Sequence, residues 1–506
     1  MNESDYMADA VEALPPGWIW VTLGDTAQNI QYGLTEKAYW TNVGPRFLRI
    51  TDLQDRRVDW DSVPYCFCAE TDFEKYQLRA NDLLFARTGA TTGKSYLISD
   101  CPPSVFASYL IRIQMPDDVD ARYLYYFFQS HDYWSQIVDL RKGSAQPGIN
   151  SSVLAKLIFP LSPLAEQARI VEAIEALFTR LDAGVAALKR LRVHLRRYKA
   201  AVLKAACEGT LVPQDPTDEP ASALLERILT ERRDRWEAEQ RAKGKDPRKL
   251  KYEAPAAPDV EGLPELPEGW VWATFDQLLL QLRNGFFAGA PSSSPPGIRI
   301  LTIGAVRPLS VDINSVKYVR EPNDRIPEYL LHENDLLFTR YNGSIEFVGV
   351  CGRIQRLEEE TLYPDKLIRA ILANEEILSE YIEYYFATSI PRQIIESSVV
   401  SSAGQNGISG PTLRKIPVSL PPINEQLRIV EEVDQVLSVV QGIEQIIDEA
   451  LHRAERLRQA ILREAFAGRL VPQDPADEPA AALLARIQQA RGESAAGRKR
   501  SKRGGG

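Results

Sequence analysis

Cysteine is scarce, with five in 506 residues, and histidine is scarcer still, with four. So few cysteines cannot frame a disulfide-built fold, and a reducing, cytoplasmic setting is expected. Long apolar runs are missing as well. No stretch of about 18 such residues exists, so no membrane-spanning helix is expected. The opening MNESDYMADA is acidic and has no apolar core, so it does not read as a secretory signal. Positive charge is in the minority, with 60 Lys and Arg against 69 Asp and Glu and a net charge of −9. That excludes a protein that coats nucleic acid by bulk charge, although it leaves room for local basic loops. Global disorder is excluded too, because 44% of the residues are apolar and 25% charged. At roughly 150 residues per domain, the length suits about three domains.

What is present is written twice. Leu14-Pro-Pro-Gly-Trp-Ile-Trp20 recurs as Leu266-Pro-Glu-Gly-Trp-Val-Trp272, and Asn81-Asp-Leu-Leu-Phe-Ala-Arg87 as Asn334-Asp-Leu-Leu-Phe-Thr-Arg340. Gln146-Pro-Gly-Ile-Asn150 returns as Gln405-Asn-Gly-Ile-Ser409, and Glu166-Gln-Ala-Arg-Ile-Val171 as Glu425-Gln-Leu-Arg-Ile-Val430. The offset drifts only from 252 to 259, which defines two units. Fidelity is uneven. Gly209–Ile228 and Gly468–Ile487 agree at 16 of 20 positions, whereas Gly33–Glu70 and Gly285–Asn323 hardly align. Surface drift after duplication would spread differences evenly, so one part of each unit is held constant and another is free to differ.

One faithful segment is a long helix. Ser162 suits an N-cap and Pro163 the first turn. A 4-3 apolar stripe follows through Ile170, Ile174, Leu177, Leu181, Leu188, Leu195 and Val202, stopped at Gly209. The second unit repeats it with Ile429, Val433, Val436, Val440, Ile447 and Leu457, ending at Gly468. A heptad sustained over about 45 residues reads as a coiled coil, and the nearest equivalent stripe is the other helix. Antiparallel pairing would leave the flanking domains at opposite ends. The expected organisation is α+β. It comprises a mixed domain over 1–161, a helix over 162–209, a short helix and linker over 210–265, a second mixed domain over 266–420, a second helix over 421–468, and a short helix with a basic tail over 469–506. The run Arg498–Arg503 reads as disordered, and 243–267 as a Pro- and Lys-rich linker.

Within the mixed domains the polar loops hold the candidate contacts. The first set is Arg87, Thr88 and Lys94, with Arg141, Lys142, Ser144 and Gln146 on a second loop. Their counterparts are Arg340, Tyr341, Asn342 and Ser344, with Gln405 and Asn406. Arg and Lys match guanine edges, Asn and Gln match adenine edges, and Ser or Thr match phosphates.

Catalytic signatures are missing. Gly89-Ala-Thr-Thr-Gly-Lys-Ser95 has three residues between its glycines where a P-loop needs four. No Asn-Pro-Pro methyltransferase tetrapeptide occurs, and no Lys has an acidic residue two positions before it. His131, His194, His332 and His452 are scattered, and Cys66 and Cys68 have no partner pair at zinc spacing. Together these absences point to a binding protein.

A duplicated variable domain plus long helix resembles the specificity subunit of type I restriction–modification enzymes. The residues carrying the resemblance are Asn81–Arg87, Asn334–Arg340, Gln405–Ile408, the Pro-x-x-Glu-Gln helix starts at Pro163 and Pro422, and the two Val-Pro-Gln-Asp-Pro segments. The resemblance spans nearly the whole chain. It implies two target-recognition domains reading the halves of a split DNA site, on a subunit that is not itself catalytic. It implies that the helices dock two methyltransferase subunits carrying S-adenosylmethionine. Restriction and translocase subunits that use ATP and Mg would join them in host defence. A coiled-coil scaffold that reads no DNA, and a stand-alone DNA-modifying enzyme, are the competing readings.

Overall fold

A computed structural model describes residues 13–54, 57–141, 148–320, 326–402 and 404–503. The first repeat runs β1 (Ile19–Thr22), α1 (Leu23–Thr26), β2 (Asn29–Tyr32), β3 (Arg46–Leu48), α2 (Glu70–Tyr76), β4 (Leu83–Ala86), β5 (Ser95–Leu97), β6 (Ser104–Phe106) and β7 (Leu110–Gln114). It continues through α3 (Ala121–Phe127), α4 (His131–Arg141), α5 (Ser151–Leu154), β8 (Ile158–Leu161), the long α6 (Leu164–Cys207) and α7 (Ala221–Ala242). The second repeat runs β9 (Val271–Thr274), α8 (Phe275–Leu278), β10 (Leu279–Asn284), β11 (Ile298–Leu301), β12 (Val306–Arg307), β13 (Ser310–Val311), β14 (Val316–Val319), β15 (Leu336–Thr339), β16 (Tyr341–Asn342), β17 (Cys351–Arg353), β18 (Thr361–Leu362) and β19 (Leu367–Leu372). It closes with α9 (Ser379–Phe386), α10 (Ser389–Ser397), β20 (Val400–Ser402), β21 (Gln405–Gly407), α11 (Gly410–Arg414), β22 (Pro417–Leu420), the long α12 (Ile423–Phe466) and α13 (Ala480–Arg503).

The chain forms two compact units, residues 1–189 with 448–506, and 190–447. Unit 1 is built on the antiparallel sheet β2-β7-β4-β5, and unit 2 on β10-β19-β15-β17. The central strands, Leu83–Ala86 and Leu336–Thr339, are buried throughout, as a strand covered on both faces must be. Divergent sequence rides on a retained framework. β3 pairs in parallel with β6, as β11 does with β18, although β3 and β11 lie in stretches that hardly align. Gly33 and Gly285 mark the same crossing. A Cβ on either would lie within 2.4 Å of carbonyl oxygens, at Phe106 and Ala107 or at Tyr363 and Pro364. Beyond that crossing the units part, with α2 in one and β12, β13 and β14 in the other.

The long helices run antiparallel. In unit 1, Ile170, Ile174 and Phe178 of α6 share a core with Ile461, Leu462 and Phe466 of α12. In unit 2, Val202, Leu203 and Ala206 of α6 share a core with Ile429 and Val433. Each helix has 44 residues, about 66 Å at ~1.5 Å per residue. Leu195, Val440 and Ile447 are also buried, and Leu177 and Val436 partly so. Leu181 and Leu188 are half-buried. Leu457 departs from the expected stripe and is 49% exposed. Past Ile447 the inward phase moves on by one residue. Arg458 takes the inner position, its guanidinium 4.3 Å above the Phe178 ring and paired with Asp182. Its aliphatic stem covers the seam while its charge finds a partner.

The Glu-Gln pair opening each helix joins it to its domain. Glu166 accepts a 2.8 Å bond from Trp18 Nε1, and Glu425 one of 2.9 Å from Trp270 Nε1. Gln167 accepts from Asp120 N at 2.9 Å, and Gln426 from Leu378 N at 3.0 Å. The most faithful segments explain themselves in the same way. Ala480, Leu483 and Ile487, which follow α12, fill the core of unit 1, and Ala221, Leu224 and Ile228, which follow α6, fill that of unit 2. Ala480 N bonds Gly17 O and Ala221 N bonds Gly269 O, both at 2.8 Å. Each segment therefore caps the domain of the other repeat, and the two pockets demand the same side chains.

Two expectations change. The linker is laid down on unit 2. Pro247 is buried, Tyr252 packs 5.3 Å from Trp236, and Thr274 Oγ1 donates to Ala256 O at 2.9 Å. The basic tail is not irregular, because α13 continues to Arg503, in keeping with an Ala-, Arg- and Lys-rich sequence.

Unit 2 also buries a carboxylate where unit 1 has tyrosine. Glu383 on α9 is 3% exposed and accepts from Arg353 N at 2.8 Å. The matching positions in unit 1 are Tyr125 and Leu97. Burial pushes the Glu383 carboxyl up to about 7, against the partial pull of Arg353. A raised folded pKa means the folded state holds more protons than the unfolded chain between about 4.5 and 7. Stability therefore falls as pH rises through that window. Glu383→Gln should flatten this dependence and raise the stability of unit 2 at pH 8 by on the order of 3 kcal/mol. Thermal melting at pH 5 and pH 8 checks it, and equal pH dependence in the variant and the parent protein would count against it.

Candidate nucleic-acid interface

The motif Asn-Asp-Leu-Leu-Phe-x-Arg builds the same device in both units. Asn81 and Asn334 adopt φ of 70° and 69°, which asparagine tolerates better than most residues. The next carboxylates close the turn, Asp82 accepting from Arg79 N at 2.9 Å and Asp335 from His332 N at 2.8 Å. They also face buried arginines on the neighbouring strand, Arg112 at 3.4 Å and Arg369 at 3.6 Å. Burial lowers the Arg112 pKa and raises that of Asp335. These two arginines hold the sheet together. The arginines at the strand exits, Arg87 and Arg340, are different.

Arg87 N donates to Tyr109 O at 3.1 Å, and its own carbonyl accepts from Ile149 N at 2.9 Å. Arg340 N donates to Lys366 O at 2.8 Å, and its carbonyl accepts from Ile408 N at 3.0 Å. Beside them Thr88 bridges Gly148, and Tyr341 pairs with Gly407. The two candidate loops of each unit are thus joined at their base. Each guanidinium rests on an aromatic ring, Arg87 at 4.9 Å from Tyr32 and Arg340 at 4.7 Å from Tyr341. The Nε of both is shielded from solvent without a partner. Among the described residues no ion pair engages Arg87, Lys94, Arg141 or Arg340.

The remaining candidates divide. Lys94 is exposed at the end of the turn Gly89–Thr91, which leads into β5 and not into the helix a P-loop would need. Arg141 closes α4, while Lys142, Ser144 and Gln146 lie outside the described residues. Gln405 and Ser344 are exposed. Asn342 Oδ1 is occupied by Ser344 N at 3.0 Å. Asn406 is occupied at both ends, by Ser401 Oγ at 2.6 Å and Gly343 O at 3.2 Å, so its amide shapes the loop. Sequence reasoning missed Tyr109, 59% exposed, and Phe287, 77% exposed. The signal for Tyr109 was there, since Tyr109-Leu-Ile-Arg112 and Lys366-Leu-Ile-Arg369 repeat with only the first residue changed.

Among the described residues no three His, Cys, Asp or Glu are grouped to hold a metal ion, and no helix is long and apolar enough to cross a membrane. The family model for the type I restriction modification DNA specificity domain matches residues 18–187 and again 292–452, more than half of the chain. The chain belongs to this family. The specificity subunit of the type I restriction enzyme EcoKI of Escherichia coli K12 is 29% identical over 511 residues, covering 97% of this chain and 98% of that protein. The StySPI specificity subunit of Salmonella potsdam is 26% identical over 393 residues, 76% of this chain and 74% of the relative. A solved structure described as the structural basis of complex assembly and conformational transition of the type I R-M system shares the fold. It aligns with a TM-score of 0.61 and 19% identity, over 91% of this chain and 100% of that one. The matched segments cover the whole sheet of unit 1, the strands β19, β15 and β17 of the unit 2 sheet, and parts of both long helices.

Proposed function

We propose that the chain is the DNA-reading, non-catalytic subunit of a cytoplasmic type I restriction–modification assembly. Residues 1–161 and 266–420 act as recognition domains for the two halves of a bipartite duplex target. The observation that carries this is the pair of joined loops around an arginine that no ion pair engages among the described residues, present in both units while the surrounding surfaces differ. One device used twice with different rims suits two half-sites of different sequence.

The paired helices dock two methyltransferase subunits and, through them, restriction and translocase subunits. S-adenosylmethionine, ATP and Mg belong on those partners in this reading. Support comes from the outward faces of the helices, where Leu191, Tyr198, Leu427, Val439 and Ile446 are each more than 40% exposed. Apolar side chains exposed in such number suit a covered surface.

A mobility-shift assay with duplexes from the host genome, with and without the methyltransferase subunits, tests the reading. A sequence-specific shift is expected, sharpened by the subunits. An assembly that forms but shows no preference among duplexes would leave a scaffold. Lys94→Ala should weaken binding uniformly across sequences, as loss of a phosphate contact does. Titration at several salt concentrations checks this, and a change confined to one base position would count against it.

A further inference from the structure

We infer that Arg87 and Arg340 take the same backbone phosphate in the two half-sites, while the side chains abreast of them, Tyr109 and Lys366, discriminate bases. The inference rests on the DNA-reading function proposed above and assigns work within that site.

The two arginines are equivalent in main-chain geometry as well as by motif, although Arg340 Nη1 also donates to Asp365 O at 3.3 Å. Each donates its main-chain N–H to the residue abreast, at 3.1 Å from Tyr109 O and 2.8 Å from Lys366 O. Each guanidinium lies within 5 Å of a tyrosine ring centre, although that ring comes from different places. In unit 1 it is Tyr32 on β2, and in unit 2 it is Tyr341, the next residue along. Two sequence solutions thus give one outcome, a guanidinium held in place with no carboxylate to neutralise it among the described residues. Such a pre-positioned cation loses little entropy when it meets an anion. An identical residue on an identical frame cannot tell two different half-sites apart. The DNA feature common to both half-sites is the phosphate backbone, so the shared arginine belongs there.

The residue abreast is the opposite case. The position is the same, the turn residue just before β7 or β19, and the side chain differs in kind. Tyr109 is 59% exposed, and Lys366 is exposed as well, with no ion pair among the described residues. A lysine donates to guanine O6 and N7, whereas a tyrosine offers one hydroxyl and an apolar ring to a thymine methyl or a base edge. Difference at a fixed place beside a fixed phosphate anchor is what discrimination between half-sites requires.

The test uses the chain assembled with its methyltransferase subunits, a randomised duplex library and sequencing of the methylated products. Arg87→Gln and Arg340→Gln should leave both base preferences unchanged and lower the salt slope by about one. The affinity loss between 50 and 200 mM salt would then be about 3.5-fold smaller than in the parent assembly. Arg87→Lys keeps the charge and should retain the slope, which separates a lost contact from a damaged fold. Tyr109→Lys should change one base preference in one half-site only, and Lys366→Tyr one in the other. A changed base preference with an unchanged slope in the arginine variants would overturn the phosphate assignment. Unchanged preferences in folded Tyr109→Lys and Lys366→Tyr would overturn the discriminating role. A parent assembly with no bipartite preference would instead remove the DNA-reading function itself.

Discussion

Exchanging residues 15–160 for the equivalent domain of a relative should change one half of the DNA target and leave the other half as it was. The effect is large, because each wrong base pair costs about 1–3 kcal/mol and a half-site holds several. The structure says what the donor domain must bring. Trp18 lies in the exchanged segment, and its indole nitrogen bonds Glu166, which stays behind. A donor without tryptophan there would leave a buried carboxylate unpartnered, at a cost of about 1–3 kcal/mol or more. It must also present the surface that Leu483 and Ile487 fill, since the segment after α12 caps this domain. Trp270, Leu224 and Ile228 meet the same demands in unit 2, so the requirement is general to the fold. Sequencing of methylated adenines in cells carrying the chimera reads the outcome. Alteration of both half-sites would show that the two domains do not read independently.

Shortening the paired helices by one heptad each should change the spacer between half-sites by about three base pairs, or abolish specific binding, with both half-site sequences retained. Each helix is unbroken over its 44 residues, and α6 carries the chain from unit 1 into unit 2. Removing Leu188–His194 and Ile443–Glu449 preserves the heptad phase of both. Each helix loses ~10 Å, about three base-pair steps at ~3.4 Å. Because the pairing is antiparallel, deletion from one helix alone would also slip the seam, and Leu195 would lose its place among the buried positions. A four-residue deletion rotates the seam and should cost partner binding as well. Binding-site selection from a library of variable spacers makes the measurement. An unaltered spacer in a folded double deletion would assign positioning of the domains to something other than these helices.

Much of this was legible in the residues, and the reason is periodicity. The 4-3 stripes announced two helices of nearly equal length because a coiled-coil seam tolerates few exceptions. The repeated motifs announced the domain pair because Asn81, Asp82 and Arg112 form a linked set in which each residue needs the others, as do Asn334, Asp335 and Arg369. Where one residue could stand in for another, reading by pattern failed. Leu457 looked like a seam residue, yet Arg458 fills the place, because a long aliphatic stem over Phe178 serves as well as leucine once Asp182 takes the charge.

The sequence by itself determined the duplication and the two long helices and singled out the candidate loops, since each depends on local spacing or on exact repetition. Only the tertiary structure decided which distant residues serve one purpose. It put the segment after each long helix into the domain of the other repeat, which accounts for its 16 identities in 20 positions. It showed β3 with β6 and β11 with β18 to be one framework, although β3 and β11 lie in sequences that do not align. It also set Tyr109 and Lys366 beside the shared arginines. Main-chain hydrogen bonds fix a backbone without specifying side chains, so a surface can diverge past recognition while the strands beneath it keep their register.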